Sequence, residues 1–275
     1  METPARDRRD DAPLRSTLVA IGLTIFGVLV APNVTTLPAF LLDPALIEGP
    51  AEASIAGRTA LLTLNFVGMF LAGAIYLVVT DRGWSYVDLR MPSKRGWMYV
   101  GAGIASMIAF YILVNIVVTV LSLPSAENEV MRYIEDDQTM VLIMIGIVFF
   151  FNAPAEEFLF RNIVQKRLYD AFSRTQAIVI ASAIFALIHF ASYAVSSDSL
   201  LATTVPIVTV FGGALIFGYL YAKSENLLVP IAAHATFNGI QFALFYIALE
   251  YELEEAAPTG EAAAAALEVV PALPL

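Results

Sequence analysis

Seven runs of mostly apolar residues account for the greater part of this chain, each near the about 20 residues needed to cross the hydrocarbon core of a bilayer. They read as Ser16–Leu42, Thr59–Thr80, Trp97–Leu123, Thr139–Arg161, Gln176–Val195, Leu200–Ala222 and Leu227–Leu249. Apolar runs of that length are membrane-spanning helices. The expected fold is therefore an all-α, polytopic transmembrane bundle of about seven spans. The composition agrees: 59% of residues are hydrophobic and mean hydropathy is +0.74, against about 45–50% apolar residues in a soluble domain.

Charge sets the orientation. Arg6, Arg8, Arg9 and Arg15 precede the first span, and Arg82, Arg90, Lys94 and Arg95 lie between the second and third. Lys166, Arg167 and Arg174 follow the fourth, and Lys223 lies between the sixth and seventh. With an odd number of spans these all fall on one side. The other side collects Asp43, Glu48, Glu52, Glu127, Glu129, Glu135, Asp136, Asp137 and an acidic tail from Glu250. Basic loops stay in the cytoplasm, so the N-terminus is predicted inside and the C-terminus outside, in the cell membrane. The first span reads as an uncleaved anchor, since Leu29-Val30-Ala31 lacks small residues at both cleavage positions. Pro32 and Pro38 are expected to bend or end it.

The net charge of -10 gives no basic patch for nucleic acid. The absence of cysteine removes disulfides, thiol nucleophiles and Cys-ligated metals. Residues 1–13 and 251–275 are expected to be disordered tails flanking N-terminal transmembrane helices over 14–138 and a second set over 139–250.

Ionisable groups are costly inside a membrane, about 2.5–3.5 kcal/mol for Asp, Lys or Arg at a helix centre on insertion scales. The later spans nonetheless contain Glu156, Glu157, Arg161, His189, His234 and Asn238, including both histidines of the chain. Glu157 and Arg161 are four apart, on one helix face, and can form an internal ion pair. Glu156 points about 100° away and is uncommitted to that pair, which suits a general base. Pro154 removes a backbone hydrogen bond, so Asn152–Ala155 is expected to open locally and admit water to Glu156. At about 1.5 Å per residue, Glu156, His189 and His234 lie about 15, 20 and 16 Å from the cytoplasmic charges, a similar depth. Phe185 reads as packing or pocket wall. Asn65 and Asn115 read as bonds to neighbouring helices, and Glu225 and Asn226 as a loop without signal.

Glu156-Glu157-Phe-Leu-Phe-Arg161 has the form EExxxR, Phe185-Ala-Leu-Ile-His189 the form FxxxH, and His234-Ala-Thr-Phe-Asn238 the form HxxxN. In this order they resemble the CPBP family of intramembrane proteases, which includes the Rce-type CAAX prenyl endopeptidases and the Abi immunity proteins. The resemblance covers about residues 140–245 and makes 139–250 the catalytic helices. Asn162 departs from it, standing where many relatives have glycine.

What the resemblance implies is an endopeptidase acting on a membrane-associated peptide or protein near the cytoplasmic face. Glu156 would activate a water held by His189, His234 and Asn238 would stabilise the oxyanion, and Glu157 with Arg161 would support the site. No cofactor is favoured, although Glu156, His189 and His234 could supply a zinc set; the HExxH helix of soluble zinc proteases is absent. Two other readings stay open from the residues themselves: a proton- or ion-coupled transporter, and a non-catalytic immunity or scaffold protein.

Overall fold

A computed structural model describes residues 12–251; the two expected tails lie almost wholly outside the described residues. Among the described residues seven helices are long and apolar enough to cross a membrane: α1 (Pro13–Leu42), α2 (Ile55–Val79), α3 (Lys94–Val120), α4 (Gln138–Leu168), α5 (Arg174–Ala194), α6 (Leu200–Ser224) and α7 (Leu228–Glu250). There is no strand among the described residues. The all-α bundle expected from the apolar runs is the fold observed, and the protein is an integral membrane protein.

Polar residues at the surfaces start these helices. The side chains of Ser54, Ser93, Asp137 and Ser199 accept from backbone N–H groups in the first turns of α2, α3, α4 and α6. Ser173 opens α5 in a reciprocal pair with Gln176. Each cap satisfies donors that the helix leaves without an internal partner. Pro32 and Pro38 do not end α1; they sit in the first turns of short helical segments that carry it on to Leu42.

Small residues let the helices approach. A Cβ on Gly68 would stand 2.7 Å from the Pro32 Cα, so α1 and α2 touch nearly backbone to backbone. Thr35 bridges the same contact by donating to the Leu64 carbonyl at 2.8 Å. The bundle is not evenly packed. The most apolar stretch of α7 is 67% buried and that of α3 only 11%, so α7 is the central helix and α3 a lipid-facing wall.

The basic loops gather at one end. Lys166 donates to Asp88 at 2.8 Å, Arg90 to the Ser224 carbonyl, and Arg174 pairs with Glu225. Ser16 donates to the Arg167 carbonyl, which brings the start of α1 to that end too. At the opposite end Arg58, buried in α2, donates to the Tyr133 carbonyl and pairs with Asp137 at 3.3 Å. Glu225 and Asn226 are therefore not an idle loop. Glu225 ends α6 in the left-handed conformation (φ 46°) while pairing with Arg174, and the Asn226 side chain accepts from the Leu228 N–H.

α4 is longer than its apolar run suggests, continuing from Arg161 to Leu168. Asn162 and Gln165 are fully buried within that extension, so protein rather than lipid surrounds these polar residues. α4 also changes pitch twice, with wide π-type turns at Val148–Asn152 and Phe158–Gln165. Such turns occur often at functional sites.

Candidate active site

The helix does not open at Pro154. The preceding wide turn absorbs the missing donor, with the Ala153 N–H reaching back to the Val148 carbonyl. Asn152, Ala153 and Ala155 are buried, and Glu156 is only 5% exposed. The expected water-admitting break is thus a continuous, closed stretch of helix. Proline needs only its own N–H to be dispensable, and the widened ladder satisfies that.

Glu157 and Arg161 form the expected ion pair, 2.8 Å from Nε to Oε2, with both side chains wholly buried. Glu157 does more than neutralise the arginine. Its Oε1 lies 3.0 Å from Nδ1 of His234 on α7. A carboxylate held by a guanidinium can only accept, so Nδ1 carries the proton and donates. In the neutral ring Nε2 is then an acceptor, and Asn238 donates to it from Nδ2 at 3.1 Å. Arg161, Glu157, His234 and Asn238 form one buried chain of contacts across two helices. Phe217 of α6 stacks on the His234 ring at 4.8 Å and 19°, fixing its plane.

Glu156 is arranged differently. Its Oε1 accepts from Asn152 Nδ2 at 3.0 Å, while Oε2 is buried without a partner. That free oxygen lies 3.9 Å from His234 Nε2.

His189 enters from α5. Its Nδ1 stands 2.7 Å from the Phe185 carbonyl, which can only accept, so Nε2 of the neutral ring is left as an acceptor. Phe185 is more than a wall. Its ring packs on His189 (centroids 4.4 Å apart), on Phe160 (4.8 Å) and under the Arg161 guanidinium (5.1 Å). His189, His234 and Asn238 line one pocket, closed by Met107 of α3 and by Thr209, Gly213 and Phe217 of α6. It has room for about one water molecule.

The carboxylates, imidazoles and carboxamide picked out in the sequence therefore do converge: Glu156 and Glu157 meet His234, and His189 faces the same pocket. Asn115 is not part of this and does not bridge helices; its Nδ2 donates to the Tyr111 carbonyl of its own helix at 2.8 Å. Several participants carried no clear sequence signal. Asn152 is the exception, being four residues before Glu156 and so on its face. Phe217 and Asp88 come from distant segments. Asp88 accepts from Tyr221 at 2.5 Å and from Lys166, and Tyr221 in turn accepts from Asn162 at 3.0 Å. The residue after the motif arginine is thereby tied to the loop between α2 and α3. Beside it, burial pushes the Tyr86 hydroxyl well above the usual phenol range.

Among the described residues no three His, Asp or Glu side chains are grouped so that they could hold a metal ion. His234 Nδ1 is taken by Glu157 and Glu156 Oε1 by Asn152.

Fold and contacts together define a class: a polytopic helical membrane protein with a buried carboxylate, imidazole and carboxamide centre. Residues 138–240 match the family model described as Type II CAAX prenyl endopeptidase Rce1-like, so that stretch of the chain is similar to this family. Every residue of the centre lies inside the matched stretch. No curated protein and no solved structure matches the chain.

Proposed function

We propose that this protein is an intramembrane endopeptidase of the cell membrane, cleaving a membrane-associated peptide near the cytoplasmic face with a glutamate-activated water and no metal ion. The observation that carries this reading is the free Glu156 Oε2, buried 3.9 Å from Nε2 of His234, which with His189 and Asn238 lines a pocket that has room for a water molecule.

In the proposed reaction Glu156 Oε2 takes a proton from water. The oxygen of that water bonds to the carbonyl carbon of the scissile peptide, whose π electrons move to oxygen. The Asn238 Nδ2 has a second N–H beyond the one donated to His234, available for the developing oxyanion. Removal of one such donor typically costs about 100–1000-fold in rate. His189, with Nε2 free to accept, orients the water. The C–N bond then breaks and the Glu156 carboxyl returns its proton to the leaving amine, yielding one acid and one amine and restoring the carboxylate. Arg161 and Glu157 hold His234 in the tautomer this geometry uses.

The test compares wild type with Glu156→Gln by sequencing the termini of membrane proteins in cells and by cleavage of a farnesylated reporter peptide ending in a CAAX-type sequence. The variant is expected to insert and fold normally and to lose the wild-type termini and the cleavage. A strong chelator is expected to leave wild-type activity unchanged. Wild-type processing by Glu156→Gln rejects the carboxylate as the base, and loss of activity on chelation rejects the metal-free mechanism.

A further inference from the structure

We propose that Asn152 is a positioning residue for Glu156: its carboxamide holds one carboxylate oxygen and thereby dictates that the other faces His234. The inference rests on the protease reading for its consequence but on the contact alone for its geometry.

Three observations point this way. Asn152 Nδ2 donates to Glu156 Oε1 at 3.0 Å, and both residues are buried, at 2% and 5% exposure. A carboxylate turns readily about its terminal bond, which exchanges its two oxygens. With one oxygen bound, that freedom is removed and Oε2 is left 3.9 Å from His234 Nε2.

The second observation is what Asn152 lacks. Its own Oδ1 is buried without a partner. An unsatisfied buried acceptor destabilises a fold, and a leucine of similar volume would remove that penalty. Packing alone therefore does not account for an asparagine at this position. The residue spends stability on a single contact, and that contact is to Glu156.

The third is the backbone. Asn152 is the last residue of the wide turn Val148–Asn152, immediately before the Pro154 segment that carries Glu156. The turn accommodates the proline without opening the helix, and it places the amide one turn before the acid on the same face. Other charged or titratable groups face the same region. Glu157 is bound to Arg161 and His234, Tyr193 of α5 is fully buried, and His189 bonds the Phe185 carbonyl. Asn152 donates the hydrogen bond at Glu156 Oε1, and Oε2 has no partner.

The test uses the full chain in nanodiscs with Asn152→Leu and Asn152→Asp, alone and combined with Glu156→Gln. A hydrogen bond to a charged group corresponds to about 10- to 100-fold in an equilibrium or rate. For Asn152→Leu, kcat on the farnesylated reporter is expected to fall by that factor with KM unchanged, while the thermal midpoint stays level or rises. A merely structural residue would instead lose stability and activity together. Asn152→Asp, which keeps the shape but offers no N–H, is expected to fall at least as far. In the Glu156→Gln background neither change lowers residual cleavage further. Independently of catalysis, the side-chain amide resonance of Asn152, in protein labelled with ¹⁵N-asparagine, is expected to move on Glu156→Gln. A resonance that moves in a protein that cleaves nothing upholds the contact and rejects the protease reading. An unmoved resonance, a wild-type kcat in Asn152→Leu, or a joint loss of stability and activity overturns the proposal.

Discussion

Glu157 serves two partners from full burial, a guanidinium behind it and an imidazole in front. Losing one partner of a buried pair leaves the other charge uncompensated, which costs about 3–5 kcal/mol. Arg161→Met is expected to destabilise the protein by about that much, read from chemical or thermal unfolding in detergent. The double change Glu157→Gln with Arg161→Met removes both charges and is expected to recover much of the stability, since a neutral pair needs no ionic compensation. Cleavage should not return with it, because His234 Nδ1 then faces an amide that no longer fixes its tautomer. Equal cleavage by the double variant and wild type would refute Glu157 as the group that sets the His234 tautomer. The i,i+4 spacing made the ion pair legible in the sequence; the second bond, to a residue 77 positions away, was not.

At the scale of elements, α4 is the helix that carries Glu156, Glu157 and Arg161, and its length and shape depend on neighbours. An apolar count ends it near Arg161, because Asn162, Gln165 and Lys166 read as a return to water. Instead Gln165 donates to the Gly218 carbonyl at 3.0 Å and to Tyr169, Asn162 donates to Tyr221, and Lys166 reaches Asp88. The N–H donors of these side chains find acceptors on α6, on Tyr169 and in the loop between α2 and α3, so the helix continues. Gly218 makes this possible: a Cβ there would stand 2.7 Å from Gln165 Oε1. Tyr221→Phe is expected to leave the Asn162 amide without its acceptor and take a donor from Asp88. A loss of about 1–3 kcal/mol should follow, with faster proteolysis within residues 81–93 while the spans stay protected. Unchanged protection of that loop would show that the latch does not hold it.

For the whole molecule, the end that carries the basic loops also holds Asp88, Lys166, Arg174 and Glu225 in contact across helices, and the acidic loops lie at the other end. The chain has no cysteine, so single cysteines can be introduced without a background. Arg90→Cys is expected to react with an impermeant maleimide only after the cells are opened, and Glu127→Cys in intact cells. The reverse pattern would invert the orientation and place the pocket nearer the outer face.

The sequence by itself determined the membrane class, the seven helices, their order, the charge asymmetry and the residues of the centre. These follow from local quantities: the length of an apolar run, the 3.6-residue period and the cost of a charge in hydrocarbon. Tertiary structure alone decided which partner each polar atom takes. It paired His234 with Glu157 and half of Glu156 with Asn152, it closed the helix around Pro154 where a break was expected, and it buried Asn162 and Gln165 against α6. The reason is that a hydrogen bond needs both groups within about 3 Å. Which side chains come that near depends on how small residues let helices approach and on how wide turns rotate α4, neither of which a single chain's pattern encodes locally.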